Sequence, residues 1–318
     1  METTPTPTRI GIELKVTNRC NLHCSYCMNS DSPCKSGEVD TPLFLKRLQE
    51  MHCNGDRPGF AIKEVRMTGG EPLLAVDAVA QIANICRTLG IASGINTNGI
   101  FLTASVAAKL KEAGLNTVKV SLDAAEDFTL WKMRSKPASI KKITQGILNA
   151  VQNDFKVIVR FTLCRYNRDH LIPCYEMVRD MAVTQFQIKP LVPAGRALES
   201  DLFLSLGEVV EALTELAQRV SGPFAKPQVL CWNPEKAGGL SARSCGSLDK
   251  IYISTELDVM ICNYHAEPIP FGNLNADSLE RVLLQRPADT VEIAAGHAIV
   301  AGCPQIEVLE RFSSLTSP

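Results

Sequence analysis

The chain lacks three features that would have placed it early. The opening METTPTPTRI is polar, with no apolar stretch followed by a small-residue cleavage site, so it does not read as an export signal. No uninterrupted apolar run approaches the roughly 18 residues of a membrane span. Formal net charge is -1, so no overall field draws the chain to nucleic acid or an anionic membrane. These absences lead us to expect a cytoplasmic protein with neither nucleic acid nor membrane as partner. The composition, 45% hydrophobic and 21% charged over 318 residues, is that of a chain able to bury a substantial core.

Against that background, 12 cysteines are many. In a reducing compartment a disulfide framework is not expected, and clustered thiols there serve metals or catalysis. Cys20, Cys24 and Cys27 stand in C-x3-C-x2-C spacing within NRCNLHCSYCMNS. The second half that a tetrahedral zinc site usually shows, another C-x2-C or an H-x3-H, does not lie near this one. His23 would need an awkward local turn to serve as a fourth zinc ligand. Three thiolates on a [4Fe–4S] cluster fit the deficit better, because one iron is then left open to bind something else.

From residue 9 to about 205, strand-like and helix-like segments alternate. Strands are expected at 9–17, 61–68, 91–98, 116–123, 156–163 and 184–191. Helices are expected at 41–52, 74–90, 103–114, 138–153 and 167–181, with Thr103 as an N-cap and Gly114 as a stop. Six such repeats predict an α/β fold, a partial (β/α)6 TIM-like barrel. Residues 1–8 are expected to be disordered, 9–205 to form the barrel, and 206–318 a small C-terminal α+β domain. That domain would hold a helix at 204–220, a linker at 221–227, a hairpin at 250–262 and a helix at 277–285.

Side chains alternate faces along a strand. One face carries Ile12, Leu14, Val16, Val65, Met67, Val118, Val120, Leu122, Val157, Val159, Phe161, Phe186 and Ile188, and should pack under the helices. The other face carries Glu13, Lys15, Glu64, Arg66, Asn96, Asn98, Lys119, Ser121, Asp123, Arg160, Gln185, Gln187 and Lys189. A closed barrel fills its interior with branched apolar side chains. A polar interior instead predicts a wet cavity for a polar ligand, and its basic residues (Lys15, Arg66, Lys119, Arg160, Lys189) outnumber its acidic ones (Glu13, Glu64, Asp123). The cavity therefore leans toward ligands with carboxylates.

Two motifs carry a family resemblance. The cysteine triad, with Tyr26 before its last member, resembles the signature of the radical S-adenosylmethionine (radical SAM) superfamily. Gly69-Gly70-Glu71-Pro72, at the end of the second predicted strand, looks like that superfamily's GGEP motif. The resemblance covers about residues 9–200. It implies a [4Fe–4S] cluster on Cys20, Cys24 and Cys27 whose open iron is chelated by S-adenosylmethionine. It further implies homolytic cleavage to a 5′-deoxyadenosyl radical that abstracts hydrogen from substrate, with the electron coming from a flavodoxin- or ferredoxin-type donor. Gly69, Gly70, Glu71 and Pro72 would hold the methionyl amino group and Tyr26 the adenine. Asn98, Ser121, Asp123 and Arg160 resemble further cofactor contacts by position.

Cys245, Cys262 and Cys303, with Phe271-Gly272-Asn273-Leu274 between the last two, resemble the Twitch/SPASM extension that binds an auxiliary [4Fe–4S] cluster, with Cys231 as candidate fourth ligand. The match departs from the family pattern at Leu257, where a glycine is usual, and at Ile306, where a CPxC pair would end. Family members either modify peptides or tailor small molecules. Peptide modifiers often carry a leader-binding domain ahead of the barrel, for which a first strand near residue 9 is expected to leave no room. The favoured expectation is a carbohydrate-like small-molecule substrate, a sugar, aminocyclitol or nucleoside, undergoing oxidation or decarboxylation in the biosynthesis of an antibiotic or other natural product. Peptide maturation is the alternative, and a non-catalytic iron–sulfur carrier a third reading. Glu13, Lys15, Lys119 and Lys189 are the candidate catalytic residues, Glu13 or Glu64 as base and the cations, with Arg66 and Arg196, as clamps.

Overall fold

Strand β1 (Thr8–Thr17) sits in the middle of a ten-stranded sheet and receives neighbours on both sides. In the computed structural model of the chain, residues 7–28, 37–53, 59–191, 194–220, 227–231, 250–261, 270–286, 291–294 and 297–300 are described. On one side β2 (Phe60–Gly69), β3 (Ala92–Thr97), β4 (Thr117–Ser121), β5 (Lys156–Leu163) and β6 (Gln185–Pro190) follow in sequence order, all parallel. This is the expected (β/α)6 arrangement, a barrel left open between its edges. The expected disordered start falls mostly outside the described residues, although Thr8 already pairs with Phe60.

The sheet runs on past the six expected strands. β7 (Gln228–Cys231) joins β6 in parallel, and β8 (Lys250–Ile253) joins β1 in parallel on the far side. β9 (Asp258–Met260) and β10 (Gly272–Asn273) continue antiparallel from β8. The C-terminal segments thus extend the barrel's own sheet. Ile251, Ile253, Leu257, Val259, Leu274 and Val282 are buried in the same core as β1. Among the described residues, strands β7 to β10, all after residue 205, continue the same sheet with a change of topology. β11 (Val291–Ala294) and β12 (His297–Val300) form a separate antiparallel pair.

The helices are α1 (Thr41–Cys53), α2 (Val76–Thr88), α3 (Ala104–Glu112), α4 (Asp127–Arg134), α5 (Ile140–Gln152), α6 (Leu171–Arg179), α7 (Leu206–Arg219) and α8 (Leu279–Leu284). Their starts are written in the sequence. The Thr103 hydroxyl accepts from the Val106 N–H, and Ser205 and Glu208 close a capping box at α7. Gly114 ends α3 at φ +94°, where a side chain would meet Arg87. Helix α4 was not expected, because its eight residues DFTLWKMR lack a clear apolar stripe. No helix among the described residues is long and apolar enough to cross a membrane.

The predicted parity of the strands holds. Every residue assigned to the apolar face of β1, β2, β4, β5 and β6 is at most 3% exposed. Glu13, Lys15, Lys119, Arg160, Gln187 and Lys189 on the opposite face stay half-buried.

Leu257, in the turn between β8 and β9, is 1% exposed and lies at φ +65°. The family pattern has glycine there, and a leucine pays strain of about 1–3 kcal/mol in such a region. Removing its buried side chain costs more, on the order of 2–5 kcal/mol. Leu257→Gly should therefore destabilise the fold by about 2 kcal/mol in a denaturant titration. A stabilised variant would show that strain, not burial, dominates at this turn.

Candidate active site

The loop after β1 and the loop after β2 are stitched together by main chain. Gly70 N–H donates to Thr17 O at 2.8 Å and Glu71 N–H donates to Arg19 O at 2.8 Å. This approach needs glycine twice over. A Cβ on Gly69 would stand 2.3 Å from Thr17 O, and one on Gly70 2.1 Å from Arg19 O. The GG of the motif thus forms a cradle on which the cysteine loop rests.

Glu71 is 1% exposed, and its carboxylate is occupied by the protein. Oε1 accepts from Leu73 N–H (3.0 Å) and Thr97 Oγ1 (2.6 Å), and Oε2 accepts from Asn98 N–H (2.7 Å). Burial raises its pKa, and these three donors oppose the rise. Asn98 in turn donates from Nδ2 to Asn21 Oδ1 at 2.9 Å, so β3 is tied to the cysteine loop as well.

Cys20 is exposed, while Cys24 and Cys27 are half-buried. Burial pushes the Cys24 thiol up to about 12, with the charge of Arg134 as the largest opposing influence. Binding iron must displace that proton. Two further segments hold this loop. Met133 O accepts both N–H (2.9 Å) and Oγ–H (3.0 Å) of Ser25, and Arg134 O accepts His23 N–H at 3.2 Å. Arg196 donates from Nε to Cys24 O at 2.8 Å, and its own N–H donates to Cys27 O at 3.1 Å. The expectation that Arg196 clamps a substrate carboxylate is thereby corrected: its guanidinium is committed to the cysteine loop.

Asp123 is also reassigned. It is 0% exposed; Oδ1 accepts from Thr162 N–H at 2.9 Å, and Oδ2 from Tyr26 Oη at 2.5 Å and Arg134 Nη2 at 3.0 Å. A carboxylate so enclosed anchors the loop from beneath and cannot line the cavity. Tyr26 Oη is spent on the same carboxylate, leaving its ring as the part a ligand could touch. The Ser121 carbonyl accepts from Arg134 at 2.8 Å.

On the inner face, Glu13 lies level with Arg66, Lys15 with Thr68, Asn96 with Lys119, Arg160 with Gln187, and Lys189 with Thr162. Arg66 is ion-paired to Glu64. Lys119 is lowered to about 6 by burial first, then by the charges of Arg160, Arg66 and Lys250. It is neutral at pH 7 and able to accept a proton. Of the auxiliary-cluster cysteines, Cys245, Cys262 and Cys303 lie outside the described residues, and Cys231 is described only as backbone at the end of β7.

The residues fit a three-thiolate cluster with a bound cofactor. Among the described residues no three His, Cys, Asp or Glu side chains converge as a single metal ion requires. Three thiols serving three different irons need no such convergence. Arg134 Nε and Nη1 are buried beside the loop with no hydrogen-bond partner, as donors awaiting an anionic group would be. Tyr26, Arg134, Thr97 and Arg196 do this structural work, and of these Arg134 and Thr97 were missed in the sequence because neither belongs to a spaced motif.

A parallel half-open barrel with an open thiol triad after its first strand and a double-glycine cradle after its second defines an enzyme class that activates a cofactor at an iron–sulfur cluster. The superfamily pattern described as "Radical SAM superfamily" matches residues 14–178. The chain belongs to the radical SAM superfamily. It is 28% identical over 295 residues to a GTP 3′,8-cyclase of Lactiplantibacillus plantarum, covering 87% of this chain and 86% of that one. An AdoMet-dependent heme synthase of Methanosarcina barkeri is 29% identical over 191 residues, covering 60% and 53%. Among solved structures, Streptococcus suis SuiB bound to precursor peptide SuiA superposes with TM-score 0.73 at 13% identity, covering 89% of this chain and 65% of that one. The anSMEcpe protein with bound AdoMet gives 0.66 at 16% identity, covering 86% and 80%. At such identities the superpositions speak for the fold alone. The cofactors are accordingly a [4Fe–4S] cluster and S-adenosylmethionine.

Two outcomes follow from this geometry. Gly70→Ala should lose most of its reconstituted iron while keeping its far-UV circular dichroism, because its methyl group meets the backbone of Arg19. Gly59→Ala, with nothing within 4 Å, should keep both and serves as the control. For Lys119, an anion seated beside it favours the ammonium, so binding takes up a proton above about pH 6. Affinity for an anionic ligand should therefore weaken as pH rises from 6, and not in Lys119→Met. Calorimetry in two buffers of different ionisation heat reads the uptake, and identical heats would refute it.

Proposed function

We propose that the enzyme takes hydrogen from a polar, anion-bearing small molecule of the sugar, aminocyclitol or nucleoside class, leading to oxidation or decarboxylation in natural-product biosynthesis. One observation carries the reading. On the inner face of the barrel Arg66 Nη1 and Asn96 Oδ1 are buried without partners, beside Lys119 and the cation Arg160. Buried polar atoms are normally satisfied, so an unmatched donor and acceptor in a polar wall suit a ligand rich in hydroxyls or anionic oxygens. The relatives named GTP 3′,8-cyclase, after a nucleotide that bears a sugar and phosphates, support the same class.

The cluster, when bound, supplies the electron that cleaves S-adenosylmethionine homolytically. The protein's share is position and exclusion of water. The GG cradle fixes the loop that would present the open iron, the ring of Tyr26 is available for adenine, and Ser121 at the end of β4 and Arg160 within β5 are available for further cofactor contacts. Within the substrate space Lys15, Lys119 and Lys189 orient anionic oxygens, and Glu13 or neutral Lys119 accepts a hydroxyl proton. Cys231, Cys245, Cys262 and Cys303 are proposed to hold the auxiliary cluster as an electron acceptor, with a flavodoxin- or ferredoxin-type protein as the donor. Peptide maturation is the second reading. It is favoured by the fold shared with SuiB and anSMEcpe, both of which have been solved with peptides.

The test is anaerobic reconstitution followed by incubation with dithionite, S-adenosylmethionine and panels of nucleotides, aminocyclitols and short peptides. The expected result is 5′-deoxyadenosine formation, abolished in Cys20→Ala and accelerated only by members of the first two panels. Acceleration by peptides alone would transfer the protein to the second reading. No 5′-deoxyadenosine from cluster-loaded protein would overturn both.

A further inference from the structure

The last turn of α4 buries a charge that the cofactor contacts assigned above leave unused. Arg134 is 1% exposed, and only one of its three guanidinium nitrogens is satisfied: Nη2, by Ser121 O and Asp123 Oδ2. Nε and Nη1 are buried without a partner. The guanidinium is planar and rigid, so fixing Nη2 on Ser121 O and Asp123 Oδ2 also fixes where the Nε and Nη1 hydrogens point. Leaving buried donors of a charged group unmatched costs more than any other kind of unmade hydrogen bond.

What lies beside those donors is set by the backbone. The carbonyls of Met133 and Arg134 accept from Ser25 and His23, the two residues flanking Cys24. Cys24 is therefore held against the same turn that carries the guanidinium. The countercharge of Arg134 is also divided, since Asp123 accepts from Tyr26 and Thr162 as well.

We propose that Arg134 is a positioning residue for the cluster: its free Nε–H and Nη1–H donors supply a hydrogen bond toward the sulfurs around Cys24, and its fixed positive charge favours the cluster's reduced state. Reduction adds negative charge to a site of low dielectric, where a buried cation on the turn that holds Cys24 acts more strongly than it would in water. Hydrogen bonds to cluster sulfurs and local charge are established determinants of iron–sulfur potentials. The inference depends on the cluster at Cys20, Cys24 and Cys27 and is independent of the substrate class.

The test compares reconstituted wild type, Arg134→Lys and the double variant Arg134→Met with Asp123→Asn, which removes the cation and its anionic partner together. Iron and sulfide content are measured first. An electron paramagnetic resonance redox titration without S-adenosylmethionine then gives the midpoint potential. A shift to more negative potential is expected in the double variant, with a value near wild type in Arg134→Lys. An unchanged potential at full iron content overturns the proposal. So does an unchanged potential accompanied by weaker S-adenosylmethionine binding, which would assign the free donors to the cofactor's carboxylate. Should the double variant fail to hold iron, wild-type protein labelled with 15N-arginine decides. A 15N coupling to the reduced cluster that vanishes in Arg134→Lys is expected, and its absence from wild type overturns the proposal.

Discussion

The buried pair of Asp123 and Arg134 is the interaction on which the site depends. It joins the end of β4 to the end of α4, takes in β5 through Thr162 N–H, and reaches the cysteine loop through Tyr26 Oη. With 0% and 1% exposure the two side chains gain little from water. Removing one partner of such a pair is costly, on the order of 3–5 kcal/mol, because the other charge is stranded. Asn167 completes the frame by donating to both Asp123 O and Thr162 O at 2.8 Å. The loop that carries three thiols has no regular structure of its own. Its order comes from this base, from the carbonyls of α4, and from Arg196 on the opposite side.

Around that base the sheet separates two environments. The outer face of β1–β6 is a continuous apolar surface under the helices, so the inner face is relieved of the task of building a core. That division allows Glu13, Lys119, Arg160 and their neighbours to remain polar without destabilising the barrel, as a closed, side-chain-filled barrel would not. The same division explains Lys119. Burial first, and the charges of Arg160, Arg66 and Lys250 after it, make its ammonium easier to deprotonate than that of an exposed lysine.

How much of this was legible in the sequence varied with the range of the interaction. Six strands, their parity and most helices were written in local periodicity, and the cofactor-binding loops in two spaced motifs. The site residues found by motif are those whose role is chemical or steric, such as Cys20 and Gly70. Arg134 and Asn167 act across long stretches of chain, and a lone arginine or asparagine between elements looks like any other surface residue. Asp123 shows the converse error. Its strand parity pointed inward, but β4 ends at Ser121, and beyond the strand the alternation no longer governs direction. The sheet pairing of the C-terminal segments was not legible for a related reason. Parallel pairing of β8 with β1 and of β7 with β6 joins residues far apart in sequence, and nothing in a four-residue strand announces its partner.

That pairing gives the C-terminal third a part in the chemistry whatever its cysteines bind. Lys250 enters the barrel wall on β8 beside β1 and helps set the charge state of Lys119 on β4, with three strands between them. Asn18, next to the cysteine loop, donates to Thr255 at 2.8 Å in the β8–β9 turn. Arg47 of α1 donates to Leu274 O at 3.0 Å just after β10. The described C-terminal segments are thus bonded to the chain beside the cysteine loop on one side and charge-coupled to the polar inner face of the sheet on the other. Substrate selectivity within a shared barrel is best placed on such edge strands, because they can change while the six-stranded centre and its buried ion pair stay as the cluster requires.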